Sequence, residues 1–91
     1  MASPNYRFKL FISGMSVRST RAVDNLKQVC DEHLQGQYEL EIIDVSRDRQ
    51  MAVTYQIFAL PTLLKLLPEP ERIVVGDLSD KQKVLKILDL A

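Results

Sequence analysis

An α/β fold is predicted by three features of this sequence. Two segments, Tyr6–Ile12 and Tyr38–Val45, each begin with alternating polar and apolar residues and end in an apolar run. That pattern belongs to strands half exposed at one end and buried at the other. Between them lies a stretch with helical periodicity, long enough to cross over between parallel strands and fixed by chirality as a right-handed connection. The third feature is the run Phe58-Ala59-Leu60-Pro61-Thr62-Leu63-Leu64-Lys65-Leu66-Leu67. A proline lacks the ladder donor and is barred from a sheet interior, so Pro61 marks a corner where the chain enters a third strand, Thr62 to Leu67.

The elements follow in order. Ser13-Gly14-Met15-Ser16 ends the first strand, and Ser16 or Ser19 can cap a helix running to Leu34. Ala22, Val23, Leu26, Val29, Cys30 and Leu34 form one apolar stripe along it, leaving Arg18, Arg21, Asp24, Lys27, Gln28, Asp31 and Glu32 to solvent. Gly36 suits the turn that follows. After the second strand, Ser46 to Gln50 opens a weaker helical stretch with Met51, Ala52 and Tyr55 on one side. Pro68-Glu69-Pro70-Glu71 is a turn after the third strand. Arg72 to Gly76 then reads as a strand pairing antiparallel with Thr62–Leu67. Ser79 with Gln82 three residues on is a capping-box pattern, placing the start of a last helix there with Val84, Leu85 and Leu88 as its buried face.

The resulting order, β-α-β-α-β-β-α, is similar to that of the thioredoxin-like folds, where the corner proline is usually cis. At 91 residues the chain is expected to form one domain, residues 1–91. Its composition, 46% hydrophobic and 26% charged, is that of a folded soluble chain. Twelve basic and twelve acidic residues cancel, so no global field favours nucleic acid or an anionic membrane, and little charge opposes self-association. Met1 to Asn5 lacks a basic region followed by a long apolar stretch, and the lone Cys30 allows no internal disulfide. Both point to a cytoplasmic protein.

Thiol chemistry is the first test for such a chain. It needs a cysteine where the first strand meets the first helix, because the helix N-terminus lowers the thiol pKa. Residues Gly14 to Ser19 hold none, and Cys30 sits on the apolar stripe as a structural thiol. His33, the only histidine, stands near the end of the first helix without companions at metal-ligand spacing. The three glycines are isolated, so no phosphate loop exists. Neither a catalytic residue, a metal site nor a cofactor is expected, and the chain is read as a non-enzyme. What remains is a basic group, Arg18 and Arg21 with Lys65 and Arg72, either a surface for an acidic protein partner or an ordinary scatter of solvated charge.

Several segments resemble the KaiB family, in its order and over nearly the whole chain. They are Phe8-Lys9-Leu10-Phe11-Ile12-Ser13-Gly14, Gln35-Gly36-Gln37-Tyr38, Ile43-Asp44-Val45, Leu60-Pro61-Thr62-Leu63, Leu67-Pro68-Glu69-Pro70 and Val75-Gly76-Asp77-Leu78-Ser79-Asp80-Lys81. The resemblance implies a regulatory protein of a Kai system, in circadian or stress-adaptation timing, that binds a KaiC-like ATPase through Arg21, Lys65 and Arg72. It also implies fold switching. The resting form would be a dimer or tetramer with a βααβ second half, and the partner-binding form a thioredoxin-like monomer with an αββα second half. The sequence alone leaves the two open. Pro61, Pro68 and Pro70 are accordingly candidate cis prolines within or bordering the segment that switches. The thioredoxin-like input domain of the kinase SasA is a related alternative, and a divergent redox protein a remoter one.

Three departures from the family pattern bear on function. Met15-Ser16-Val17-Arg18-Ser19 replaces the family's Asn-Thr-Pro-Asn-Ser after the first glycine. Glu39 and Glu41 stand where family members that bind KaiA carry a small residue and a lysine, which argues against KaiA as a partner. Ile87 replaces a glycine, favouring the last helix and with it the thioredoxin-like arrangement.

Overall fold

The computed structural model describes residues 5–90, so the sequence reading of Met1–Pro4 lies outside the described residues. Among the described residues, four strands and three helices follow in the order β1 (Tyr6–Ile12), α1 (Val17–His33), β2 (Tyr38–Asp44), α2 (Arg49–Thr54), β3 (Thr62–Leu67), β4 (Arg72–Val75) and α3 (Lys81–Ile87). The strands form one sheet in the order β2-β1-β3-β4. β1 and β2 run parallel, with Tyr6 opposite Tyr38 and Ile12 opposite Asp44. β3 runs antiparallel to both β1 and β4, and the β3–β4 hairpin pairs Thr62 with Val75 and Lys65 with Arg72. This is the thioredoxin-like order, with αββα as its second half. Among the described residues no helix is long and apolar enough to cross a membrane.

Strand alternation splits the core in two. Phe8, Leu10, Leu63 and Val74 face α1 and α3, meeting Ala22, Leu26, Val29 and Cys30 from one helix and Val84, Leu85 and Leu88 from the other. Phe11, Ile43, Val45 and Leu64 face the opposite side, under Met51, Ala52 and Tyr55. The Phe11 and Tyr55 rings lie 5.6 Å apart in a tilted pair. Each fully buried leucine or phenylalanine contributes about 1.5–3 kcal/mol, so the larger cluster under two helices dominates stability. α2 has no buried residue and covers only part of its face. On the outer strand β4, Ile73 and Val75 are left exposed.

Two boundaries differ from the sequence expectation. The Ser46–Asp48 segment is a turn and not the first part of a helix, because the Asp44 carbonyl accepts the Arg47 and Asp48 N–H groups and its carboxylate accepts from Ser46. α3 is capped by Asp80, which accepts the Lys83 N–H at 3.2 Å, and not by a Ser79–Gln82 box. Ser79 is instead turned back, its N–H donated to Asp77, after Leu78 with φ of 63°. Gly76, at φ 117°, closes the hairpin by donating to the Pro61 carbonyl at 2.9 Å. The peptide bonds before Pro61, Pro68 and Pro70 are cis.

Candidate partner-binding surface

The loop between β1 and α1 is built from short polar side chains. Ser16 caps α1 by accepting the Ser19 N–H at 3.2 Å. Ser19 is itself buried, its Oγ accepting the Ser13 N–H and the Ser16 hydroxyl. Gly14, at φ 59°, donates its N–H to Asp44 at 2.9 Å, and the Ser46 hydroxyl and N–H bind the same carboxylate. These bonds, that of the Ser46 hydroxyl foremost, hold the Asp44 carboxyl below the usual carboxylate range. Met15 and Val17 project outward beside this clamp, and Phe58, ahead of the Pro61 corner, is 94% exposed.

No thiol stands in that loop. Cys30 is buried on α1, where burial, helped by the charge of Asp31, pushes its thiol up to about 12. A thiol so rarely ionised is a poor nucleophile. Among the described residues no three His, Cys, Asp or Glu side chains gather as a metal-binding group. The cleft between Arg18 and the Gly76–Asp80 loop holds about 180 Å³, smaller than usual for a small-molecule pocket.

The basic residues come from three elements, α1, β3 and β4. Arg21 is exposed on α1, and its charge, with that of Arg18, is felt by Asp77, whose carboxyl is held low mainly by hydrogen bonds from Ser79. Arg72 is exposed at the opposite end of β4, about 10 Å of strand away from Val75. Lys65 is placed differently from Arg21 and Arg72. It is 0% exposed, so in this fold it presents no ammonium to a partner. It shares a sheet face with Leu63 and the larger core cluster, and its Nζ lies 3.5 Å from Asp89 Oδ2. Sequence reasoning missed Asp89. The available signal was a lysine in an otherwise apolar strand, which demands a counter-ion when both faces are covered.

The β2 edge also differs from a bare acidic strand. Glu39 pairs with Arg7 of β1 at 3.2 Å, and Glu41 with Lys9, which also lies over the Tyr55 ring at 5.5 Å. Each acid thus meets a cation directly across the parallel pair. His33 stays exposed in the last turn of α1, its Nε2 3.9 Å from Glu32.

With this geometry in place, comparison with known proteins is informative. Residues 9–90 match the KaiB domain family. The circadian clock oscillator protein KaiB of Microcystis aeruginosa is 47% identical over 85 residues, covering 93% of this chain and 82% of that one. Its counterpart in Prochlorococcus marinus is 43% identical over 90 residues, covering 99% and 84%. Among solved structures, the N-terminal domain of Synechococcus elongatus SasA superposes with a TM-score of 0.76 at 22% identity, covering 100% of this chain and 89% of that one. Mitochondrial thioredoxin 3 of Saccharomyces cerevisiae superposes with a TM-score of 0.75 at 14% identity, covering 96% and 80%. At these identities the two structures speak for the thioredoxin-like fold alone. The match spans nearly all the described elements, and this chain belongs to the KaiB family.

Proposed function

We propose that the chain is a non-enzymatic regulatory protein of a Kai system, which binds a KaiC-like ATPase and modulates its phosphorylation or ATPase state in circadian or stress-adaptation timing. The observation that carries this reading is the KaiB match over residues 9–90, shared with relatives named as circadian clock oscillator proteins. The surface is compatible with it. The thioredoxin-like frame has no cysteine at its β1–α1 loop, and Arg21 and Arg72 are exposed to an acidic partner. The proposal places the protein in the cytoplasm and includes a resting dimer or tetramer with a rearranged second half.

The test is co-purification with a KaiC hexamer. Reversal of Arg21 and Arg72 to glutamate is expected to weaken binding by about tenfold or more, as for charges at an electrostatically matched interface. A wild-type chain that fails to bind the hexamer sinks the reading. KaiA is proposed not to bind, since the β2 edge carries Glu39 and Glu41 already engaged with Arg7 and Lys9. Co-elution of KaiA with the chain in the presence of the hexamer would overturn that part.

A further inference from the structure

Lys65 and Arg72 stand directly opposite each other on β3 and β4, so their side chains leave the same face of the sheet. Like charges in that relation repel. Lys65 is also wholly buried, and its Nζ has no hydrogen-bond partner among the described residues. Its one ion pair there is with Asp89, whose own side chain is 58% exposed. Asp89 occupies an unfavourable place for an acid. It lies just past the end of α3, where the helix carbonyls make the field negative. Its φ of 60° is the left-handed conformation, which glycine favours and which aspartate adopts more readily than most other residues. The residues on either side are fastened down, Leu88 at 0% exposure and Leu90 packed on the larger cluster with its N–H donated to the Leu85 carbonyl at 2.8 Å. The turn therefore carries a carboxylate, against local preference, onto a buried cation that needs one.

We propose that Asp89 is an internal stand-in for a partner's carboxylate. The turn Leu88–Leu90 is a latch that caps Lys65, and an acidic segment of the partner gains Lys65 and Arg72 only by displacing it. This rests on the proposed binding of an acidic partner at Arg72, and it adds Lys65 as a contact made available only when Asp89 is displaced. Opening the latch without replacement strands a cation in an apolar setting, which is strongly unfavourable. Opening and arrival of the partner's carboxylate are thereby coupled. The outer side of Asp89 is open to solvent, so the competing carboxylate can approach from there.

The experiment uses the full chain with Asp89→Asn, Lys65→Met and the double variant. Acetylation of Lys65 by an amine-reactive ester, measured against exposed Lys27 by mass spectrometry, is expected to rise about tenfold in Asp89→Asn as the turn opens. Amide exchange at Leu90 should rise by a similar factor in Asp89→Asn, yet change by less than about twofold when the same substitution is made in Lys65→Met. Unchanged Lys65 labelling, or equal exchange increases in both backgrounds, overturns the latch. Poly-L-glutamate serves as an acidic probe and is expected to bind Asp89→Asn about fivefold more tightly than wild type. Equal binding with Lys65 freed overturns the stand-in role. Because labelling, exchange and poly-L-glutamate binding need no ATPase, they separate failure of the latch from failure of KaiC binding.

Discussion

Asp44 closes the β2 strand and ties it to two other stretches of chain, accepting from Gly14 across the sheet end and from Ser46 just beyond. Its folded carboxyl titrates lower than in the unfolded chain, where an aspartate binds its proton near pH 3.9, about the model-peptide value. The unfolded state therefore takes up the proton first. The contribution is complete above that value and is lost as pH falls through the folded pKa. Asp44→Asn is expected to flatten the acid side of the urea midpoint plotted against pH, below about pH 4. Glu32 and Asp77 are shifted in the same direction, so the wild-type minus variant difference isolates Asp44. A difference that stays constant from pH 7 to pH 3 would show that Asp44 does not titrate in this way. Single residues were the least legible level of the sequence. Lys65 reads as a surface cation because its counter-ion lies on a different element, far along the chain, and only the fold brings them together.

Elements were far more legible, since periodicity is local. β1 and β3 lie where alternation and the Pro61 corner put them, and the stripe from Ala22 to Leu34 is buried along α1, with Val23 half-buried. Ends were less legible, because neighbouring Ser79 and Asp80 are both good caps and the choice depends on the turn before them. The backbone at Leu78 and the Asp77–Ser79 hydrogen bond use up Ser79 and hand the cap to Asp80. Asp80→Ala is expected to cost about 1 kcal/mol in urea unfolding, as loss of an N-cap does. Ser79→Ala should stay within about 0.5 kcal/mol, as for an ordinary surface change. The reverse ranking would restore the Ser79 box. α2 was the faintest element in sequence, because Met51, Ala52 and Tyr55 mark only one short side of that stretch and no residue of the helix is buried.

At the scale of the whole molecule, one sheet serves two unequal cores, and the larger depends on α3 keeping Val84, Leu85 and Leu88 in place. Ile87, half-buried at the end of that helix, stands where the family pattern has glycine. Glycine costs a helix about 1 kcal/mol relative to alanine and isoleucine roughly half of that. Ile87→Gly is thus expected to weaken the thioredoxin-like arrangement by about 0.5 kcal/mol through helix propensity. Loss of its half-buried side chain from the larger cluster adds about 1 kcal/mol more, for a shift of roughly tenfold against any competing arrangement. Backbone chemical shifts over Val84–Leu88 read this directly: helical in the wild type, less so in the variant. Strand-like shifts there in the wild type would overturn the preference. The two-state question itself was not legible, because the same apolar run after Pro61 suits a helix or a strand and only tertiary packing chooses.

The outer strand β4 carries a last consequence, for solubility. It is an unpaired sheet margin with Ile73 and Val75 uncovered, the kind of margin that recruits another strand and seeds aggregates. Here it is only four residues long and is bracketed by Glu69-Pro70-Glu71 on one side and Asp77 on the other. Charges at both ends of a short sticky segment, here the three carboxylates together with the exposed Arg72 at its start, act as gatekeepers that oppose the zipping of stacked copies. In a chain with no net charge to keep copies apart, those flanking charges and the shortness of the strand are its local colloidal defence.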